Sequence, residues 1–360
     1  MPLATTTRRL LSSSFVDLLL GPRGVDRYLE LIRPDLTVRD ARARVVGIER
    51  QTARSVSLTL RPNAAFAGFR AGQFIRVGVD IDGVRRTRTY SPASSEHRND
   101  GLLELTVTVH PAGRVSDHLH RRLSPGTVLH LGPAQGEFVL PERRPERLLL
   151  LSGGSGITPV LAMLRTLCDE GHDGELTFVH FARTAEDWLY RPLVTALANR
   201  HPNLQVRYIA TREGGPRLSA ELISELLAAE APTSVQAAVC GPPELLDAAR
   251  ELWVDAPERL LAETFSPPAL RLADAVASGT LRFERSGREA EIATGTLLEQ
   301  AEAAGLTPEF GCRMGICHTC TCRKLAGPVR NLRTGEVSTE EDQDIQLCIS
   351  APAGDVALDL

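Results

Sequence analysis

The sequence predicts a multidomain α+β protein with an antiparallel β-barrel, an α/β domain containing a parallel sheet, and a small C-terminal domain. Short alternating apolar runs separated by Gly, Pro and Asn or Asp turns fill residues 41–140, a pattern typical of a barrel or sandwich. From Arg147 onward strands alternate with helical stretches, which indicates βαβ units. The break at Ser266-Pro267-Pro268 would interrupt a helix or a central strand, so we expect a third domain to begin nearby.

The length of the chain limits its number of domains, and its net charge limits the kinds of partner that it can bind. The chain has 360 residues, which at roughly 150 residues per domain suggests two or three domains. We expect a helical extension at 1–39, the barrel at 40–143, the α/β domain at 144–267 and the last domain at 268–360. With 41 basic and 45 acidic residues the formal net charge is −4, which argues against a nucleic-acid partner. No apolar run approaches the ~20 residues that a membrane-spanning helix needs.

The individual elements follow from periodicity and from the turn residues between them. In the extension we predict short amphipathic helices at Ser14–Leu20 and Val25–Ile32. In the barrel, alternation predicts strands at Ser55–Leu60, Phe74–Val79 and Leu103–Val109. In the α/β domain we predict strand Leu148–Ser152, helix Val160–Asp169, and strands Leu176–Phe181, Leu204–Ile209 and Val235–Cys240.

The strongest chemical signal is a run of cysteines near the C-terminus. Cys312-x4-Cys317-x2-Cys320, followed by Cys348 after 27 residues, has the spacing of plant-type [2Fe-2S] ligands. Gly311 and Gly315 permit the tight backbone that a loop around such a cluster requires. A zinc site and a set of buried structural cysteines are the alternatives, although zinc sites usually show paired Cys-x2-Cys ligands.

Two neighbouring residues fall outside this spacing. We interpret Cys322 as a spare thiol on the strand after the loop, and His318 as a loop residue rather than a ligand. The seven cysteines are odd in number and mostly clustered late in a long chain, which favours reduced thiols and a cytoplasmic protein. Leu10–Leu20 superficially suggests a signal peptide, but Asp17 interrupts it and no cleavage site follows convincingly.

A glycine-rich turn follows the first predicted strand of the α/β domain. It contains Gly153, Gly154, Ser155, Gly156, Ile157, Thr158 and Pro159. Such a strand-to-helix turn lets a pyrophosphate approach backbone N–H groups at a helix N-terminus. An ordinary tight turn is the alternative, but Cys240-Gly241-Pro242 ends a later strand, and open α/β sheets bind ligands where strands end.

The barrel region carries weaker signals. Arg88-Thr89-Tyr90-Ser91 lies on a predicted strand, and an arginine there is usually solvated. His110 and Gly113-Arg114-Val115-Ser116 follow, and a Gly-x-x-Ser is often a helix cap.

In combination these motifs resemble the ferredoxin-NADP reductase superfamily. The resemblance covers roughly Ala41 to Phe265 and rests on the following motifs in this order: Arg88-x-Tyr90-Ser91, Gly113-x-x-Ser116, Gly132-Pro133-x-x-Gly136-x-Phe138, the Gly153–Pro159 turn, and Cys240-Gly241-Pro242. The cysteine loop similarly resembles that of plant-type ferredoxins, which have a β-grasp fold. The whole chain is similar to bacterial flavin and iron–sulfur reductases that supply oxygenases and desaturases.

The resemblance implies a role for each motif. Arg88 and the helix N-terminus at Val115 and Ser116, with His110 and Gly113 before it, would bind the flavin phosphates. Tyr90 and Ser91 would contact the flavin itself. The Gly153–Pro159 turn, with Gly241 and Pro242, would hold the nicotinamide coenzyme. Cys240 would lie near the hydride path, or be a small buried residue. Phe265 would cover the flavin ring, or pack in the core.

The implied cofactors are FAD in preference to FMN, a [2Fe-2S] cluster held by Cys312, Cys317, Cys320 and Cys348, and a nicotinamide. Arg183 favours NADPH, because an arginine can bind the 2′-phosphate. Glu186 and Asp187 lie close by and could accept from the ribose hydroxyls of NADH, so NADH is the alternative coenzyme. Electrons would leave for an external oxygenase or fatty-acid desaturase, with membrane contact only through a membrane-bound partner. A redox carrier or sensor without turnover, and an oxygen-reducing oxidase, are the rival functions.

Overall fold

The computed structural model describes residues 25–110, 113–228, 231–265, 278–311, 313, 315 and 318–360. The chain divides into two compact units, Met1–Phe265 and Ser266–Leu360. The predicted helix Ser14–Leu20, the break at residues 266–268, and two of the proposed ligands, Cys312 and Cys317, lie outside the described residues. In the part of the chain that is described, no helix combines the length and apolar character that a membrane crossing needs.

The first part of unit 1 is an antiparallel barrel. Its strands are β1 (Arg42–Thr52), β2 (Ser55–Pro62), β3 (Phe74–Ile81), β4 (Val84–Tyr90), β5 (Leu103–Thr108) and β6 (Val128–Gln135), with helices α1 (Asp26–Ile32) and α2 (Arg114–Arg121). The strand order is β4-β3-β6-β1-β2-β5, and a bridge between Pro92 and Leu105 joins the two edges. This confirms the predicted strands and the predicted second helix of the extension.

Alternation along β2 and β5 separates two faces. Val56, Leu58 and Leu105 point into the barrel core, as the period of two predicts. Ser57 therefore points outward together with Thr106, yet both are buried, at 3% and 7% exposure, because the second part of unit 1 covers this face. A barrel surface with buried hydroxyl groups is a feature that alternation by itself does not reveal.

The second part of unit 1 is a parallel sheet with helices on both faces. Its elements are β7 (Arg147–Gly153), α3 (Ile157–Asp169), β8 (Glu175–Ala182), α4 (Arg191–Arg200), β9 (Leu204–Ala210), α5 (Ala220–Leu226), β10 (Gln236–Cys240), α6 (Pro243–Leu252) and β11 (Leu260–Glu263). The strand order is β11-β10-β7-β8-β9, and every neighbouring pair is parallel.

The continuous apolar run of β7 reflects burial on both faces. Leu148 and Leu150 pack on the α3 side, whereas Leu149 and Leu151 face the α6 side. The helix α3 begins at Ile157, three residues earlier than predicted, because a 3₁₀ turn at Gly154–Gly156 leads directly into it. Pro159 fits there since its missing N–H lies in the first helical turn.

In its described residues, unit 2 consists of two small sheets and one α-helix. The larger sheet has the order β13-β12-β19-β14-β17, in which β12 and β19 are parallel and the other pairs antiparallel. Its elements and those of the small sheet β16-β15-β18 are β12 (Thr280–Phe283), β13 (Arg288–Glu291), α7 (Leu297–Ala303), β14 (Thr321–Ala326), β15 (Val329–Asn331), β16 (Val337–Ser338), β17 (Gln343–Gln346), β18 (Ser350–Pro352) and β19 (Val356–Leu358). Thr296 and Glu299 form a capping box at the start of α7.

Candidate functional site

The carboxyl ends of β7 and β10 approach each other closely. A Cβ atom on Gly156 would lie 2.2 Å from the carbonyl oxygen of Cys240, and one on Gly153 would lie 2.7 Å from Cδ of Pro242. Gly154 has φ of +53°, a conformation that glycine adopts without strain. The structure therefore brings the glycine turn and the Cys240-Gly241-Pro242 strand end together at one edge of the sheet.

This edge suits a nucleotide. The 13-residue helix α3 starts directly after the turn, with Ile157, Thr158 and Pro159 buried in its first turn. The Thr158 hydroxyl donates to the carbonyl of Ser155 at 3.2 Å, which fixes the turn against the helix. Backbone N–H groups at a helix N-terminus and a glycine turn open to the outside are the arrangement that binds a pyrophosphate.

A row of polar side chains crosses the same sheet. Glu263, Cys240, Ser152 and His180 are successive register partners on β11, β10, β7 and β8. Ser152 Oγ lies 2.9 Å from His180 Nδ1, and burial lowers the pKa of His180 to about 3, so the imidazole is neutral. Burial also raises the pKa of Cys240 well above its usual value, which keeps a protonated thiol at this strand end.

Glu263 is a site residue that the sequence analysis missed. Its Oε2 is buried without a hydrogen-bond partner among the described residues, and burial raises its pKa to about 8. The sequence does show a glutamate at the end of an apolar strand. Only the pairing of β11 with β10, which places Glu263 beside Cys240, brings this glutamate to the candidate site.

Two arginines follow neighbouring strands of the sheet. The exposed Arg183 follows β8, and the N–H of Arg212, which comes after β9, donates to the carbonyl of Arg183 at 2.9 Å. The sequence analysis predicted Arg183 and missed Arg212. Both arginines come within two residues of the end of a strand, Arg183 after β8 and Arg212 after β9. Trp188 lies near this edge with its indole N–H buried and unbonded among the described residues.

The predicted flavin residues lie at the end of β4. Arg88 is half-buried and donates from Nη1 to the carbonyl of Thr87 at 2.7 Å. Desolvation raises the pKa of the Tyr90 hydroxyl, so it stays protonated. Ser91 is 2% exposed, and its Oγ has no partner within the described residues, which fits a group that a bound ligand completes.

The second predicted flavin segment is a loop closed by Ser116. Its hydroxyl donates to the carbonyl of Gly113 at 3.1 Å and accepts from the N–H of His110 at 3.2 Å. Val115 is buried in the barrel core, so the first turn of α2 is fixed in place. Phe265 is half-buried and packs against the core cluster that contains α3.

The candidate metal centre lies in unit 2. Cys320 and Cys348 are both 3% exposed, and the N–H of Gly315 donates to Cys348 Sγ at 3.3 Å. Such N–H···S bonds stabilise thiolate ligands of an iron–sulfur cluster. A Cβ on Gly315 would lie 2.6 Å from Ile349 Cδ1, which explains the glycine.

The loop is held to α7 by Arg313. Its guanidinium makes a two-pronged ion pair with Glu302, including a 3.0 Å bond from Nη1 to Oε2, and lies 3.8 Å from the Phe310 ring centroid. Cys322 is separate from this arrangement, because its Sγ donates to the carbonyls of Arg323 at 3.6 Å and Asp359 at 3.7 Å.

Comparison with known proteins agrees with this arrangement of sites. Residues 47–140 match the oxidoreductase FAD-binding domain, residues 150–251 the oxidoreductase NAD-binding domain, and residues 281–353 the 2Fe-2S iron-sulfur cluster binding domain. The fold is similar to that of phthalate dioxygenase reductase, with a TM-score of 0.62 at 23% identity over 89% of this chain and 97% of that one.

Two curated relatives are similar over most of their length. An NADPH oxidoreductase of Mycobacterium tuberculosis is 38% identical over 344 residues, 93% of this chain and 88% of the relative. The glycine betaine monooxygenase reductase subunit of Pseudomonas aeruginosa is 30% identical over 81% of this chain and 87% of its own.

The fold and the sites define an NAD(P)H oxidoreductase that moves electrons from NAD(P)H through FAD to a [2Fe-2S] cluster. The chain belongs to the flavin and [2Fe-2S] reductases of the ferredoxin-NADP reductase superfamily. The predicted fold class and cofactor set are thereby confirmed.

Proposed function

We propose that this chain is the reductase component of an oxygenase system and delivers electrons from NADPH to an external oxygenase or fatty-acid desaturase. The observation that carries the proposal is the presence, on one chain, of a glycine turn packed against the Cys240 strand end and of two buried cysteines, one of which accepts the N–H of Gly315. Several relatives support it through their names, which describe reductase components of a glycine betaine monooxygenase and a 3-ketosteroid-9-alpha-monooxygenase. The cluster domain is acidic, which would favour a basic docking face on the acceptor.

The domains divide the work in this proposal. Residues 40–143 bind FAD, residues 144–267 bind the coenzyme, residues 268–360 hold the cluster, and residues 1–39 form an N-terminal extension. Bound FAD would supply the conversion between the two-electron hydride of the coenzyme and the single electrons that a [2Fe-2S] cluster accepts. The chain's own task is to align the two rings and to exclude water from them.

On the flavin side, Arg88 and the N-terminus of α2 neutralise the phosphates. Ser91 donates its unbonded hydroxyl to the flavin, and the protonated Tyr90 packs against it. Ser116 positions the start of α2, because its hydroxyl bonds the backbone of both His110 and Gly113.

On the coenzyme side, the Gly153–Pro159 turn binds the pyrophosphate against Gly241 and Pro242. Cys240 provides a neutral, buried strand end beside the reacting ring. NADPH is the favoured coenzyme because Arg183 and Arg212 lie together. The carboxylates nearby are used by the protein: Asp187 accepts from the Thr184 hydroxyl, and Glu213 accepts from the N–H of Ala185.

An anaerobic titration tests the proposal. Purified protein is analysed for flavin and iron, and its visible spectrum is recorded during addition of NADPH or NADH. We expect FAD and two irons per chain, with bleaching of both chromophores and a preference for NADPH. Flavin without iron, or bleaching of flavin that never reaches the cluster, would contradict the electron route. Reduction of added cytochrome c then measures delivery to an external acceptor.

A further inference from the structure

A short strap connects the coenzyme edge to the barrel. It comprises residues 184–190, between the end of β8 and the start of α4. At its end Tyr190 has φ of +57°, which is uncommon for a residue with a side chain and persists only where surrounding contacts hold it. The Tyr190 N–H donates to Gln51 Oε1 at 3.4 Å, so the backbone at this point is already tied to the barrel.

The Tyr190 hydroxyl reaches the outer face of the barrel. It lies 2.8 Å from Ser57 Oγ and is hydrogen-bonded to Thr106 Oγ1, while these two hydroxyls are 3.1 Å from each other. Ser57 and Thr106 are register partners on β2 and β5. Burial raises the pKa of Tyr190, so the phenol keeps the proton that it needs as a donor.

The strap is also tied to the sheet next to Tyr190. The Tyr208 hydroxyl donates to the carbonyl of Leu189 at 3.1 Å, and the Tyr208 ring packs edge-on against Trp188. The guanidinium of Arg191 lies 4.8 Å from the centroid of the Trp188 ring. Tyr208 lies on β9, which pairs with β8, so the same short segment contacts both the barrel and the sheet whose edge carries Arg183.

Strand β5 is where the coenzyme-binding part sits on the barrel. The 3₁₀ turn Gly154–Gly156 lies beside it, and Arg165 of α3 forms an ion pair with Glu104 of β5 at 3.0 Å. Leu105, next to Thr106, is bridged to Pro92, which follows Ser91 directly. Tyr190 thus binds a strand that adjoins both the glycine turn and the end of the flavin segment.

We propose that Tyr190 is a positioning residue for hydride transfer. Its hydroxyl locks the coenzyme-binding part of unit 1 at one place on β5, which sets the distance between nicotinamide and flavin. This inference rests on the proposed roles of the glycine turn and of Tyr90 and Ser91. Hydride transfer is steep in distance, so a displacement of about 1 Å lowers its rate by a factor on the order of 10².

The test uses Tyr190→Phe and Thr106→Val in the full-length protein loaded with FAD and cluster. Thr108→Val is the matched control, because the Ser55–Thr108 hydroxyl pair, 2.9 Å apart, lies on the same two strands and does not bond Tyr190. Three quantities are measured: the limiting rate of flavin bleaching at saturating NADPH, the dissociation constant of NADP⁺ for oxidised protein, and amide hydrogen exchange in β5.

We expect about a tenfold slower limiting rate for both variants, unchanged flavin and iron content, and an NADP⁺ dissociation constant within a factor of about two. Exchange in β5 should be faster in both, and Thr108→Val should behave as wild type. The double variant should be no slower than Tyr190→Phe alone, since that variant already lacks the bond to Thr106. A wild-type limiting rate in folded Tyr190→Phe and Thr106→Val would overturn the proposal. So would equal slowing by Thr108→Val. Loss of NADP⁺ binding or flavin would instead count against the proposed site roles.

Discussion

Cys240 and Glu263 lie side by side at the carboxyl ends of the parallel strands β10 and β11. The thiol is fully buried, and the carboxyl has one oxygen without a partner among the described residues. Neither group gains charge readily in this environment, because burial raises both pKa values. The strand edge where the coenzyme would bind therefore presents neutral groups at neutral pH, which suits a reaction that moves hydride rather than protons.

Glu263→Gln should alter the pH dependence of stability. With a folded-state pKa of about 8 against an ordinary 4.5, the folded protein binds a proton that the unfolded chain has lost between these values. The free energy of unfolding therefore falls as pH rises from about 5 to 8. The variant stays neutral, so it should gain roughly 2 to 4 kcal/mol relative to wild type between pH 5.5 and 8.5.

Denaturant unfolding at the two pH values measures this change. Glu251→Gln, an exposed substitution on α6, is the control and should leave the pH dependence as in wild type. A difference between Glu263→Gln and wild type that is the same at both pH values would contradict the buried, protonated carboxyl.

Periodicity and motif spacing predicted most of the fold and the cofactor set, but not the residues that depend on strand pairing. In runs such as Leu103–Thr108, the alternation of apolar and polar residues is enough to predict a strand. Glu263 becomes important only through the register of β11 on β10, and Tyr190 only through a contact with Thr106, which is 84 positions away. No local pattern encodes such distant contacts. The early start of α3 was missed because the Gly154-Ser155-Gly156 sequence of the preceding 3₁₀ turn carries no helical pattern.

Cys348→Ser should remove the cluster and spare the flavin. The residue is buried, and its Sγ accepts the N–H of Gly315. We expect iron content and cytochrome c reduction to fall to background, while flavin bleaching by NADPH continues. Cys322→Ser is the matched control and should retain both irons, because the Cys322 thiol already donates to the backbone carbonyls of Arg323 and Asp359. Iron retained by Cys348→Ser, or lost from Cys322→Ser, would contradict this choice of ligands.

Glu302→Gln should loosen the cluster loop without removing a ligand. The substitution breaks the ion pair that holds Arg313 to α7. Loss of the ion pair should destabilise the loop by about 1 kcal/mol, so a chelator should remove the cluster roughly fivefold faster. The decay of visible absorbance measures this rate. Arg285→Gln disrupts an exposed ion pair with Asp359 elsewhere in unit 2 and should show the wild-type rate. Equal rates for all three proteins would show that this ion pair does not stabilise the loop.

Arg183→Ala and Arg212→Ala should each weaken the preference for NADPH over NADH. The two residues follow β8 and β9 and are joined through their backbones at 2.9 Å, which places both at the same edge of the sheet. In the proposed coenzyme site their guanidinium groups bind the 2′-phosphate. Each charge-assisted hydrogen bond contributes roughly 1.5 to 3 kcal/mol, which predicts a rise in the KM for NADPH of about tenfold or more. The KM for NADH should not change, because that coenzyme lacks the phosphate. Arg207→Ala, also on β9 but paired with Glu225, is the control and should keep both values. If Arg183→Ala and Arg212→Ala raise the KM for both coenzymes equally, these arginines contribute to general nucleotide binding and do not select NADPH.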